Sequence, residues 1–299
     1  MEKVLHNAIK QQIQALKDIS FQFFIDELYL KLYGDEFVPI KQKQDRGNDG
    51  ILHGDTILAV YAPEKYTLRA FKKKVEEDFN SYNKNLSGKY PKWQVIFNGE
   101  WTTEMVNFVK TLKDDSQIIG INHILELINN LKWSKLKEIA DYLNVDNQFF
   151  INDILAKVIE DLLKDMRKKG MDATGNVPGK ATYIEEKIEL NYSREDIETA
   201  VGEYEDCLVF FTLIKDIIKG YEDEDKSALK NKIRLDYNRH YVLYKDFPNT
   251  LNQLTEIYCE RHKNDDIYRF YVRVVLIYFF EQCLIGKKTE EEKNAAAAS

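Results

Sequence analysis

The sequence predicts an α+β fold: a small mixed β-sheet flanked by helices, followed by an all-helical C-terminal domain. Three observations carry this. Between residues 37 and 121 short apolar runs alternate with amphipathic stretches, an order that builds a sheet covered by helices. From about Ile124 onward the apolar spacing is almost wholly helical. Only five prolines interrupt 299 residues, which suits a helix-rich chain.

The elements follow in order. Ile9, Ile13, Leu16, Ile19, Phe23 and Leu30 recur at helical spacing across 4–32, as one long helix or two, and Gly34 ends it. Phe37–Ile40 predicts a short edge strand, because Pro39 cannot donate to a ladder. Next comes a hairpin, Asp45-Arg46-Gly47-Asn48-Asp49-Gly50-Ile51-Leu52. Its glycines tolerate backbone angles closed to other residues, and Asn48-Asp49 favours a tight connection. Thr56–Tyr61 is an apolar strand, and Tyr66–Asn83 a helix with Phe71, Val75 and Phe79 on one face. Trp93–Phe97, Thr103–Lys113 and Gln117–Ile121 then read as strand, helix and strand.

Helices over 124–131, 133–143 and 147–169 lead to the Gly- and Pro-containing stretch 170–182, which reads as a linker. Lys187–Asn191, helices near 193–219 and 225–245, and two more ending at Cys283 complete the chain. Ser193 followed by Asp196 resembles a capping box. The expected organisation is therefore a sheet-containing domain over 1–123, a helical connector over 124–172 and a helical domain over 183–294.

Hydrophobic residues make up 44% and charged residues 31%, as in globular proteins that need no membrane. The three cysteines, Cys207, Cys259 and Cys283, form no CxxC pair, so neither a zinc site nor a disulfide framework is indicated. A reducing cytoplasm is the expected compartment. The N-terminus reads as a polar helix rather than a signal peptide. The longest apolar run, Val272–Phe280, is broken by Arg273 and is too short for a bilayer.

The net charge of −7 is unevenly placed: residues 1–125 are balanced, and the acidic surplus lies beyond them. A chain-wide basic footprint for nucleic acid is absent. A local DNA-contacting patch would draw on Arg69, Lys72, Lys73 and Lys74. The bland reading of the same run is a solvated helix face paired with Glu76, Glu77 and Asp78.

Asp49 is the residue that most invites a functional reading. Metal-dependent nucleases bind hard cations through carboxylate oxygens, which polarise the scissile phosphate and generate hydroxide. The bland reading is a turn aspartate that caps its own backbone. The next strand would need an acid or amide, one residue, then a lysine. The chain offers Ala59-Val60-Tyr61, with Glu64 and Lys65 at the strand's far end. His53, His123, His240 and His262 show no metal-ligand spacing, and there is no P-loop, GxSxG or HExxH run. The aromatic stretch Tyr268–Glu281 is apolar on nearly every side, as expected of a core or partner-facing helix.

Taken together, Phe21-Gln22-Phe23-Phe24, Tyr33-Gly34, the Asp45–Gly50 turn, Tyr61-Ala62-Pro63 and the Trp93 strand resemble the Mrr-type nuclease domain of ABC-three-component proteins. Those are subunits of bacterial anti-phage defence operons. Lys187–Asn191 and Phe279–Cys283 resemble that family's helical C-terminal domain. The resemblance implies a restriction-endonuclease-like, nuclease-like core with a magnesium ion at Asp49. The candidate catalytic positions are Asp49 and Tyr61, with Glu64 and Lys65 reaching back from the strand's far end. Arg46, Arg69, Lys72, Lys73 and Lys74 become nucleic-acid contacts. The resemblance further implies an ABC-type ATPase and a small middle-component protein as partners, with duplex DNA expected at the nuclease-like domain and a second copy of the chain an alternative partner for the Val272–Phe280 helix. Ser20 stands where relatives carry a glutamate, and Ala59 where they carry a glutamine. Of the usual metal-binding set only Asp49 is present, which leads to the alternative expectation of a non-catalytic adaptor built on the nuclease fold.

Overall fold

The computed structural model describes residues 3–40, 48–167 and 184–290. It divides into two compact units, residues 1–149 and residues 150–299. The fold is α+β: a five-stranded mixed sheet flanked by helices in the first unit, and helices throughout the described part of the second.

In the first unit, α1 (Lys3–Ala15) and α2 (Asp18–Tyr33) precede three strands, β1 (Phe37–Pro39), β2 (Gly50–Leu52) and β3 (Thr56–Tyr61). Then come α3 (Leu68–Asn85), β4 (Lys92–Phe97), α4 (Thr103–Leu112), β5 (Gln117–Ile119), α5 (Ile121–Asn129) and α6 (Trp133–Tyr142). Strand order is β1-β2-β3-β4-β5. The first three strands pair antiparallel, whereas β3, β4 and β5 are parallel. As expected, Pro39 lies on the edge strand, where its missing N–H costs least.

Alternate residues of β3 and β4 point into an apolar layer beneath α3 and α4. Ile57, Ala59, Trp93, Val95 and Phe97 pack there with Phe71, Val75, Tyr82 and Met105. Leu58 and Ile96, of opposite parity, are buried as well, and α2 lies against β3. A sheet covered on both faces explains why β3 reads as continuously apolar rather than alternating. Side-chain caps start α3 and α4: Thr67 accepts from the Ala70 N–H at 3.1 Å, and Thr102 from the Met105 N–H at 3.3 Å.

A further tight turn, which the sequence does not single out, follows β2. It joins β2 to β3 through His53 (φ 51°) and Gly54 (φ 69°), closed by the Asp55 N–H on the Leu52 carbonyl at 3.2 Å. Two left-handed residues in succession match the twist of the flanking strands. The Asp45–Gly47 part of the expected turn lies outside the described residues.

The second unit holds most of α7 (Asn147–Arg167), then α8 (Ile184–Asn191), α9 (Ile197–Leu208), α10 (Phe211–Lys219), α11 (Asp223–Tyr244), α12 (Phe247–Tyr258) and α13 (Asp266–Glu281). The expected linker over 170–182 lies outside the described residues. The stretch 187–191 is helical, and α9 begins at Ile197, not at Ser193. There is no capping box at Ser193: its hydroxyl donates to the Asp196 carboxylate at 2.5 Å. The apolar run Val272–Phe280 is core, with Val274, Val275 and Leu276 fully buried and Phe280 packed 4.6 Å from Phe247. No described helix is long and apolar enough to cross a membrane.

Candidate functional site

Asp49 is woven into the sheet by backbone and side chain. Asn48, itself buried, accepts from the Gly50 N–H at 3.0 Å, an Asx turn that sets up β2. The Asp49 N–H donates to the Leu58 carbonyl at 2.9 Å, and its carbonyl accepts from the Ile40 N–H at 3.3 Å. Its carboxylate does reach the Ala59–Tyr61 strand, where Oδ2 accepts from the Val60 N–H at 2.7 Å. Asp49 therefore fastens the entry of β2 to the end of β3, beyond the last β2–β3 pair, Gly50 with Leu58.

The flanking strand positions serve the core. Ala59 is a buried methyl in the layer under α3. The Tyr61 ring lies 5.9 Å from Phe71 and 6.0 Å from Phe97. Burial raises the Tyr61 phenol above its ordinary value, while Lys74 lowers it and Asp18, Tyr66 and Asp78 raise it further. The charges around Tyr61 thus come from α2 and α3, which strand spacing does not foretell. Lys74 is paired with Asp78 at 2.6 Å. Ser20 is a helix-start residue: its hydroxyl accepts from the Lys17 N–H at 3.0 Å and donates to the Lys17 carbonyl at 2.7 Å. Glu64 and Lys65 are exposed in the β3–α3 connection.

Magnesium favours near-octahedral oxygen coordination, with more than one anchor on the protein or substrate. Here one Asp49 oxygen is held by a backbone N–H, and positions 59 and 61 present a methyl and a packed ring. Among the described residues no group of three or more His, Cys, Asp or Glu could hold a metal ion. The described residues around Asp49 do not fit a magnesium site.

Most of the basic run is paired. Lys72 meets Glu104 at 2.6 Å, Lys73 meets Glu77 at 3.9 Å, and Lys74 meets Asp78. Arg69 is exposed, and Arg46 lies outside the described residues. The histidines are scattered: His53 pairs with Glu36 at 2.5 Å, His123 stacks on Trp101, and His262 approaches Asp161 at 3.3 Å. Burial pushes the Cys207 thiol up to about 12 and the Cys259 thiol up to about 11, so neither is a thiolate nucleophile near neutral pH. The chain matches no protein-family model, and no curated protein or solved structure shows significant similarity to it.

Proposed function

We propose that the chain is a non-catalytic, nuclease-like subunit of a bacterial anti-phage defence system. In that reading it acts with an ABC-type ATPase and a small middle component. The order α2-β1-β2-β3-α3-β4 supports a restriction-endonuclease-like core, by fold analogy alone. One observation carries the non-catalytic part: the Asp49 carboxylate is bound to the Val60 N–H, beside a buried alanine and a core tyrosine. The corner that would cut phosphodiesters is thereby a structural fastening. Arg69, Lys72 and Lys73 remain the surface that would touch duplex DNA.

Lys74, acting electrostatically on Tyr61, favours a second reading, in which a partner completes a catalytic site around it. Cleavage assays distinguish the two. With Mg²⁺ or Mn²⁺ the isolated chain is expected to leave duplex DNA intact, as is the Asp49→Ala variant. Robust cleavage by the native chain, abolished by Asp49→Ala, overturns the proposal. Cleavage confined to the assembled complex, and lost on Lys74→Met, establishes the second reading.

A further inference from the structure

A cavity of about 280 Å³ lies in the helical unit, among α7, α11, α12 and α13. Its wall joins apolar residues, Val158, Leu162, Ile257 and Val272, to an unusual density of charge. Burying ions costs several kcal/mol each unless they are paired and hydrogen-bonded, so the pairing here shows what the cavity has left to offer.

Three carboxylates line the wall, Asp161, Asp236 and Glu260, and the two aspartates are well supplied with donors. Asp161 accepts from Lys157 Nζ at 2.6 Å, the Tyr268 hydroxyl at 3.1 Å and His262 Nε2 at 3.3 Å. Asp236 Oδ2 accepts from Lys232 Nζ at 2.9 Å and the Tyr258 hydroxyl at 3.0 Å. Lys157 is not part of the lining, so Asp161 is neutralised from outside the cavity.

The cations are less fully used. The Lys232 side chain is only 6% exposed, and its ammonium, held 5.0 Å over the Tyr258 ring, gives one of its three N–H groups to Asp236. Arg239 touches Asp236 only at 3.9 Å. The buried His240 Nδ1 has no hydrogen-bond partner among the described residues. Lys232 and His240 therefore keep hydrogen-bonding capacity that these bonds do not use, inside a wall whose apolar part strengthens every charge interaction. An ammonium, a guanidinium fork and an imidazole on the wall of one small cavity, with Arg261 also on it, suit a compact oxyanion.

We propose that this cavity binds a small phosphate group, free or as the head of a phosphate monoester, through Lys232, Arg239 and His240. The size excludes a peptide or duplex, and both wall aspartates already accept from several donors. The test titrates inorganic phosphate and ribose 5-phosphate into the full-length chain by calorimetry, against chloride at matched ionic strength. Saturable binding is expected for at least one probe, roughly tenfold weaker in Arg239→Gln and lost in Lys232→Gln. Tighter binding of the sugar phosphate marks a monoester site; equal or tighter binding of phosphate marks a free-anion site. Heat no greater than that of chloride for both probes overturns the proposal, as does native affinity in Arg239→Gln. Because Arg239 is largely exposed, that variant decides the matter even if Lys232→Gln fails to fold.

Discussion

Asp49 and Asp161 are both aspartates at sheltered positions, and their partners separate their roles. Asp49 gives an oxygen to a backbone N–H and so completes a strand edge. Asp161 gathers one side-chain donor from its own helix, Lys157, and two from far along the chain, His262 and Tyr268. Burial pushes the Asp161 carboxyl up, but the bonds from His262, Lys157 and Tyr268, with the attraction of Lys157, outweigh it and bring it to about 2. A carboxyl depressed in the folded state contributes stability that is present above its unfolded value near 3.8. That contribution is lost as pH falls from about 4 towards 2. Its size is about 2 kcal/mol. Urea unfolding of the native chain between pH 5 and pH 2, compared with Asp161→Asn, is expected to show a steeper acid loss in the native chain by about that amount. Parallel curves would show that the three donors do not stabilise the ionised form.

At the scale of elements, the packing of β1 on β2 turns on one glycine. A Cβ at Gly50 would lie 2.6 Å from a ring carbon of Phe37, which is itself buried against Tyr29. At Gly54 there is open space, and the constraint is the left-handed φ of 69°. Gly50→Ala must therefore move a buried ring, at about 1–3 kcal/mol, whereas Gly54→Ala pays only for the backbone, about 1 kcal/mol. Thermal unfolding of both variants checks this, and a larger loss at Gly54 would contradict the packing account. The same two glycines mark how far the elements were legible. Helical spacing and apolar runs locate the strands and helices well, because both faces of the sheet are covered and the apolar signal is strong. The His53-Gly54 turn is not read from the sequence because Asn48-Asp49-Gly50 is the stronger local signal. The strand expected over Gln117–Ile121 ends at Ile119, and the helix expected from 124 starts at Ile121, because strand and helix apolar patterns run together across Gly120. Asp49 was visible as a candidate, but its bond to Val60 joins residues 11 apart, and the charges around Tyr61 arrive from two helices. Such convergence is a property of tertiary packing and leaves no spacing to read.

On the scale of the whole molecule, the surface available to partners is set by what each unit has already buried. The run Val272–Phe280, apolar enough to suggest an interface, is consumed by the core of its own unit. The most exposed of the large apolar side chains are elsewhere: Val209 is 76% exposed between α9 and α10, and Val242 and Leu243 are 71% and 68% exposed near the end of α11. Single exposed apolar residues need no explanation, so they acquire meaning only within the proposed assembly. If the helical unit docks on the middle component and the ABC-type ATPase, these aliphatic side chains are its first candidates for contact. Co-expression of the chain with both neighbours, followed by affinity purification, is expected to recover a complex. Val209→Ser, Val242→Ser and Leu243→Ser together are expected to weaken it roughly tenfold, about 1.4 kcal/mol. Because these positions are solvent-facing, each change shifts the chain's own stability by no more than about 0.5 kcal/mol. Full retention of both partners by the triple variant would move the interface off this surface. Failure of the native chain to retain either partner would remove the defence-assembly reading itself.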